Sequence, residues 1–306
     1  MACNAKDDRI DEILAFCNEK GEPETCTNYG INIETLHRYQ RERRWRDTRQ
    51  PKILLLDIET ARLIFGGWRC GKQRVGHEQI LKDWFIFGWA CKWLYSPEVM
   101  SDFVLAKEAL ARDDSRICKS LWKLVDEADI VISHNGEMFD LPKINWRFLI
   151  NGLKPPMPYR SLDTYKHTKN LGASSRALNF LGKMILSKEK LHTDYQLWID
   201  CENGDQDALD RMEEYCKGDT SLLEDVYLEV RPWIKSHPNV AVLMDTTEPC
   251  CPSCGSFEFE DGEGYYTTPQ NKYISVRCKH CGAVNRKKSS EVTKEQRKVM
   301  LIPTAR

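Results

Sequence analysis

The spacing of apolar positions divides the chain into three stretches. In the first, "DDRIDEILAFCNEKG" sets Ile10, Ile13, Leu14 and Cys17 at helical intervals behind an acidic first turn, and predicts an amphipathic helix. After it, Pro23 suits a first helical turn, Gly30 a helix stop, and Asn32 the cap of another helix with Leu36 and Tyr39 facing inward. Cys26, Tyr29, Ile31 and Leu36 are placed to pack the corner between them. From about residue 50 to 237 the pattern alternates between short apolar runs and helical periods. It predicts strands over 52–57, 84–94, 99–105, 129–133 and 159–163, and helices over 115–127, 139–151, 175–185 and 206–230. The first three strands are close in sequence and predict an antiparallel meander. Helices separate the later ones and predict parallel crossovers, so the expected fold is α/β, a mixed sheet with helices on both faces. Beyond Asp245, Tyr265, Tyr266, Tyr273, Ile274 and Val276 mark strands between two pairs of cysteines. Four segments are therefore expected: helices in 1–49, an α/β domain in 50–237, a cysteine-bounded module in 245–290 and a tail in 291–306.

Composition narrows the class. Charged residues make up 30% and the hydrophobic set 41%, which excludes a disordered chain. A formal net charge of -1 gives no global argument for a nucleic-acid partner, so any such argument must be local. Two stretches supply one. The helix after Asn32 carries Arg38, Arg41, Arg43, Arg44, Arg46 and Arg49 against Glu34, Glu42 and Asp47, and the last 21 residues carry seven Lys/Arg against two Glu. No apolar stretch approaches the ~18 residues of a membrane span, and the start lacks the basic-then-apolar layout of an export signal. Eight of the 13 cysteines are scattered through the first 216 residues and read as reduced thiols of a cytoplasmic, reducing compartment.

The helix, Gly turn and helix ending in the arginine run resemble small helix-turn-helix DNA-binding units. The resemblance implies nucleic-acid contact by Arg38, Arg41 and Arg44; the other reading is a solvated basic helix packed on the main domain.

Three acidic motifs carry the chemistry. "KILLLDIETA" is an apolar run ending in Asp57 and Glu59, which strand alternation places on one face. Two anions at that spacing repel, and one takes up a proton unless a cation lies between them. "ADIVISHNGEMFDLPKI" is a short buried strand, a turn, and then Asp140 opening a helix. In "RMEEYCKGDTSLLEDVYLEV", Tyr215 and Asp219 are i and i+4 and share one helix face. Taken in order, these motifs resemble the 3'→5' exonucleases of the RNase H-like superfamily that use four acidic residues. Tyr215, with Glu214 where the histidine branch has His, is similar to their tyrosine branch. "DIET", "HNGEMFD" and "YCKGDTSLL" look most like the proofreading exonuclease domain of family B DNA polymerases, and "SLDTYKH" and "KEKLHT" resemble its spacer segments. The resemblance covers roughly residues 50 to 235 and leaves too little chain for a polymerase.

That resemblance implies an RNase H-like sheet and a two-metal site for Mg2+ or Mn2+. Asp57 is expected to bridge both ions, Glu59 and Asp219 to complete the nucleophile-side ion, Asp140 to hold the other through water, and Tyr215 to orient the attacking water. The implied substrate is nucleic acid with a free 3' end, DNA in preference to RNA. A non-catalytic nucleic-acid-binding regulator and a structure-selective endonuclease on the same fold stand as alternatives. The combination would suit a phage or mobile element. Lys190 and His192 either reach a phosphate or are solvated, and Asn135 either holds the turn before Asp140 or lines the substrate groove. Asp163, also at a strand end, reads as structural. Trp84, Phe85, Phe87, Trp89 and Trp93 read as core rather than as a base-stacking wedge, and "GGWRCGKQRVG" as a mobile loop near the substrate.

Cys251-x2-Cys254 and Cys278-x2-Cys281 form two knuckles, each followed by a glycine, Gly255 and Gly282. Four thiolates at this spacing fit one tetrahedral structural Zn2+, and residues 248–285 resemble a zinc ribbon. Cys250 is a spare that competes with Cys251 for the ligand position. The ribbon and basic tail either touch nucleic acid or serve only stability.

Overall fold

The computed structural model describes residues 5–47, 49–69 and 71–302. The chain divides into two compact units. Pro51–Pro238 form one, and Met1–Gln50 with Asn239–Arg306 are grouped in the other.

The N-terminal segment folds as three helices, α1 (Ala5–Lys20), α2 (Glu22–Tyr29) and α3 (Ile33–Asp47). Pro23 lies in the first turn of α2, and Gly30 ends it at φ 62°. Asn32 caps α3, its Oδ1 accepting the Thr35 N–H at 2.8 Å. Ile10, Ile13, Leu14, Cys17 and Leu36 form the core, with Cys26, Tyr29, Ile31 and Tyr39 packed around it. The expected corner residues therefore do pack the corner.

The central unit runs β1 (Ile53–Thr60), β2 (Ile64–Phe65), β3 (Ile80–Lys82), β4 (Ile86–Trp93), β5 (Met100–Phe103), α4 (Ala106–Ala111), α5 (Ser115–Glu127), β6 (Ile130–Ser133), α6 (Asp140–Ile150), β7 (Arg160–Asp163), α7 (Thr164–His167), α8 (Leu178–Leu186), α9 (Tyr195–Glu202) and α10 (Gln206–Val230). Its main sheet has the order β5-β4-β1-β6-β7. β1 pairs antiparallel with β4, and β4 with β5; β1 pairs parallel with β6, and β6 with β7. This is the expected meander followed by crossovers. Helices cover both faces because alternate residues of β4 look opposite ways. Trp89 donates to the Ile117 carbonyl of α5 at 2.9 Å, whereas Lys92 pairs with Glu224 of α10. Phe85, Phe87 and Trp89 are buried in the core, and Trp84 and Trp93 pack against it, as expected for core aromatics.

Two details differ from the sequence expectation. The α8 helix begins at Leu178 rather than at 175, because Ser175 Oγ accepts the Ala177 N–H and closes a turn instead. Helices α4 and α9 are too short to show a clear period. The stretch "GGWRCGKQRVG" is a loop, as expected, between β2 and β3, which pair as a small hairpin; Cys70 within it lies outside the described residues.

In the C-terminal segment, β8 (Phe259–Thr267), β9 (Lys272–Cys278) and β10 (Val284–Arg286) form an antiparallel sheet ordered β10-β9-β8. Part of the expected tail is a helix, α11 (Lys294–Val299), capped by Thr293, whose Oγ1 accepts the Gln296 N–H at 3.2 Å. Residues 303–306 lie outside the described residues.

One buried charge ties the central unit together. Asp114, fully buried before α5, accepts the Ile86 N–H of β4 at 2.9 Å, Arg147 Nη2 of α6 at 2.6 Å and Asn151 Nδ2 at 3.1 Å. Removing one partner of such a pair strands the other in low dielectric. Asp114→Ala is therefore expected to cost about 3–5 kcal/mol in urea unfolding; a loss below ~1 kcal/mol would contradict this account of how β4, α5 and α6 are joined.

Candidate metal centres

Leu54, Leu55 and Leu56 are buried, as a strand sandwiched between helix layers requires, and the polar end of β1 follows directly. Asp57 and Glu59 point to one face and are half-buried. Helix α10 crosses that face. Its Thr220 donates to the Ala90 carbonyl of β4 at 3.2 Å, and its Cys216 Sγ lies 3.4 Å from Asp57 Oδ2. This docking brings Asp219 to the strand, so that Asp57, Glu59 and Asp219 each place a carboxylate oxygen within 4.8 Å of the others. Tyr215 lies one turn earlier on α10. Asp140, at the start of α6, stands outside that triad of oxygens, and its Oδ1 accepts the Ile58 N–H between Asp57 and Glu59 at 3.1 Å.

The turn before α6 is tightly built. Asn135 is left-handed at φ 65°, and its N–H donates to Asp163 Oδ1 at 2.8 Å. Asp163 also accepts the Glu137 N–H at 3.3 Å, so this strand-end carboxylate anchors the turn. A Cβ on Gly136 would stand 2.1 Å from Ser133 Oγ and 3.2 Å from Asp140 Oδ2, so the approach of the turn to Asp140 needs glycine. His134 is held between Thr164 Oγ1 and the Arg176 carbonyl, both at 2.8 Å, and burial lowers its pKa to about 4, leaving it neutral.

The electrostatics are those of crowded acids. Burial raises Glu59 to about 8, with Asp219 adding and Lys190 opposing. Burial raises Asp140 to about 7 against the Ile58 N–H. Asp57 is pushed well above the carboxylate range by burial and then by Asp140, Glu59 and Asp219. Burial raises Asp219 too, with Lys190 pulling the other way. Tyr215 is raised by burial and by Asp219, which keeps its hydroxyl protonated.

Lys190 is brought into this group. Its Nζ is 2.5 Å from Asp219 Oδ2 and 5.5 Å from the centre of the Tyr215 ring. His192 instead lines a pocket of about 340 Å3 beside Tyr215, with Leu191, Leu197 and Arg211. Lys143 was not singled out in the sequence. It donates to Thr60 Oγ1 at 3.1 Å and lies 4.1 Å over Trp84 and 4.4 Å over Phe139, a cation at the end of β1. Its signal was the i, i+3 spacing from Asp140. Arg38 is exposed on α3, with its guanidinium 5.3 Å from the Tyr39 ring. The side chains of Arg41 and Arg44 lie outside the described residues.

The cysteines form the second centre. Cys251, Cys254, Cys278 and Cys281 bring their sulfurs within 4.8 Å of one another. The Cys251–Cys281 and Cys254–Cys278 distances are 3.7 Å and 3.6 Å. A tetrahedron with ~2.3 Å Zn–S bonds has edges of about 3.8 Å, so the set fits one Zn2+. Gly255 and Gly282, at φ 78° and 76°, turn each knuckle so that their N–H groups reach the Cys251 and Cys278 carbonyls. Cys251, not Cys250, supplies the fourth sulfur. The carboxylate group suits a harder cation, since Mg2+ and Mn2+ prefer oxygen ligands.

Residues 100–230 match the family model described as RNase_H superfamily, a stretch that contains Asp140, Tyr215 and Asp219. The central domain is RNase H-like. Asp57 and Glu59 precede the matched stretch and reach it through β1. A superfamily match over this domain supports nuclease activity. Among solved structures, the chain is similar to the family B DNA polymerase from the hyperthermophilic archaeon Pyrobaculum calidifontis, at 15% identity and a TM-score of 0.44, over 60% of this chain and 25% of that one. This chain thus spans a quarter of that structure's length. No curated protein matches. Among the described residues, no helix is long and apolar enough to cross a membrane.

The crowded acids of the RNase H-like domain fix a pH dependence. Glu59 has an ordinary value of 4.5 and a folded value of about 8, so the folded chain keeps a proton that the unfolded chain loses. The Glu59 contribution to the stability of the metal-free protein is therefore expected to fall as pH rises from about 4.5 to about 8, and Asp140, raised to about 7, adds to the same slope. Melting temperatures across that range should show the slope, and Glu59→Gln should make it shallower and raise the melting temperature at the alkaline end. A flat wild-type profile would contradict the assignment.

Proposed function

We propose that the chain is a metal-dependent 3'→5' exonuclease that hydrolyses nucleic acid from a free 3' end, DNA in preference to RNA. The observation that carries this reading is the convergence of Asp57, Glu59 and Asp219 within 4.8 Å, with Tyr215 one helical turn from Asp219. The polarity rests on the order of the three motifs and their likeness to the tyrosine-type exonucleases. The preference for DNA rests on the likeness of the helix, Gly turn and helix of the N-terminal segment to helix-turn-helix DNA-binding units; the basic C-terminal residues attract the phosphates of either nucleic acid.

Asp57, Glu59 and Asp219 would hold divalent metal, Mg2+ or Mn2+, with Asp140 serving a second ion. Bound there, two such ions supply an activated water and stabilise the leaving oxyanion. Tyr215 keeps its phenolic proton and offers it as a hydrogen-bond donor to the attacking water or the phosphate. The Ile58 N–H fixes one oxygen of Asp140, leaving the other for water-mediated contact. Lys190 neutralises part of the cluster when metal is absent and would meet an incoming phosphate there. The four cysteines would hold one structural Zn2+, which leaves no open position for chemistry.

Two measurements test these assignments. Purified protein with 5'-labelled single-stranded DNA and the matching RNA is expected to give a ladder shortening from the 3' end when Mg2+ or Mn2+ is added. Asp57→Ala and Asp219→Ala should each lose more than the ~10–100-fold that removal of a merely supporting group costs. Cleavage of closed circular DNA, or activity that survives both substitutions, would overturn the reading. Elemental analysis is expected to find one zinc per chain, lost in Cys278→Ser along with the ribbon's melting transition.

A further inference from the structure

The sheet of the cysteine-bounded module turns one face towards the cysteines over β9 and leaves the other open. β9 alternates: Ile274 and Val276 share one face, with Val276 buried towards the cysteines, while Tyr265, opposite Ile274 at the far end of that face, is exposed under Lys272. Asn285, the partner of Val276, reaches Cys251 Sγ at 3.7 Å on that side. On the opposite face Tyr266 and Tyr273 are a directly paired couple across β8 and β9, and Ser275, Arg277, Val284 and Arg286 follow on the neighbouring positions.

This outward face is aromatic and cationic. Tyr266 is 52% exposed, which a packing role alone does not require. The two tyrosine rings lie 6.3 Å apart at 43°. The Arg286 guanidinium stands 4.0 Å over the Tyr273 ring and 5.5 Å from that of Tyr266, so two rings and a planar cation form one row. Arg277 is steered by the Gly282 carbonyl at 3.1 Å, with Glu260 3.7 Å away. Lys287 and Lys288 extend the positive charge beyond β10. A cross-strand tyrosine pair does stabilise a small sheet, but that role does not call for an arginine stacked on it in solvent.

We propose that this face binds single-stranded nucleic acid, with bases stacking on Tyr266, Tyr273 and the Arg286 plane and phosphates meeting Arg286 and Arg277. Stacking needs bases whose faces are open, which selects a single strand over a duplex, and the cations complement the phosphates. The proposal concerns binding rather than hydrolysis, and rests on the proposed function only in taking nucleic acid as the ligand.

The test is fluorescence anisotropy of a labelled oligothymidylate with the full chain and no added divalent ion, so that no cleavage intervenes. Tyr266→Ala/Tyr273→Ala is expected to weaken binding about tenfold or more, and Tyr266→Phe/Tyr273→Phe to stay within about twofold of wild type. An abasic strand of equal length should bind wild type more weakly, and that difference should disappear in the double alanine variant. Zinc content reports whether each variant is folded. If the alanine pair loses zinc, Arg286→Gln at the exposed end of β10 takes its place, with lower affinity and a shallower salt dependence expected. The proposal is overturned if wild type binds no single strand, or if abasic and normal strands bind alike and the substitutions leave affinity unchanged. A chain that binds but does not hydrolyse would fail the proposed function and leave this inference standing.

Discussion

Asp57, Glu59 and Asp219 hold three carboxylate oxygens within 4.8 Å of one another on the floor of a buried sheet. Three full negative charges at that separation are unstable in low dielectric, so the cluster must keep protons or gain positive charge. Both responses are present. Glu59 is raised to about 8, and Lys190 extends to Asp219 from the segment between α8 and α9. A divalent cation would meet the same need with hard oxygen ligands. A bound cation would exchange the protonated, lysine-paired state for a metal-bound one.

The rest of the fold holds the acids in that position. Burial of both faces of β1 fixes its register, so Asp57 and Glu59 can only face α10. The α10 helix is anchored to β4 by Thr220 and by the Lys92–Glu224 pair, and this sets the height at which Asp219 and Tyr215 meet the strand. Asp163 gathers the backbone N–H groups of Asn135 and Glu137, and Gly136 admits the close approach that lets Asp140 reach the Ile58 N–H. Asp114 and Arg147 hold β4 and α6 in place behind the site. The carboxylates are therefore arranged by a scaffold that spends its own buried polar groups on turns and strand ends.

Much of this could be read from the chain because it depends on short periods. The apolar run ending in two acids at i and i+2 shows which face they share, and Tyr215 and Asp219 at i and i+4 show their helix face. The two cysteine knuckles show the ribbon. What could not be read depends on contacts with no local period. The place of Lys190 between the second and third motifs marks it as a candidate phosphate contact, but its pairing with Asp219, 29 residues on, has no local period to show it. The Arg62–Glu202 pair spans 140 residues. Lys143 lies over Trp84 and Phe139 only because α6 packs against the end of β1. The face formed by Tyr266, Tyr273 and Arg286 appears only once strand register is known.

The proposed function turns on whether the carboxylate cluster holds a divalent cation. Calorimetric titration of Mn2+ into the zinc-loaded protein at pH 7, in two buffers of different ionisation enthalpy, tests it most directly. Saturable binding accompanied by proton release is expected, because raised carboxylates must lose their protons to become ligands. Asp57→Asn should abolish that binding. Binding without proton release, or undiminished binding in Asp57→Asn, would place the cation elsewhere and contradict the account.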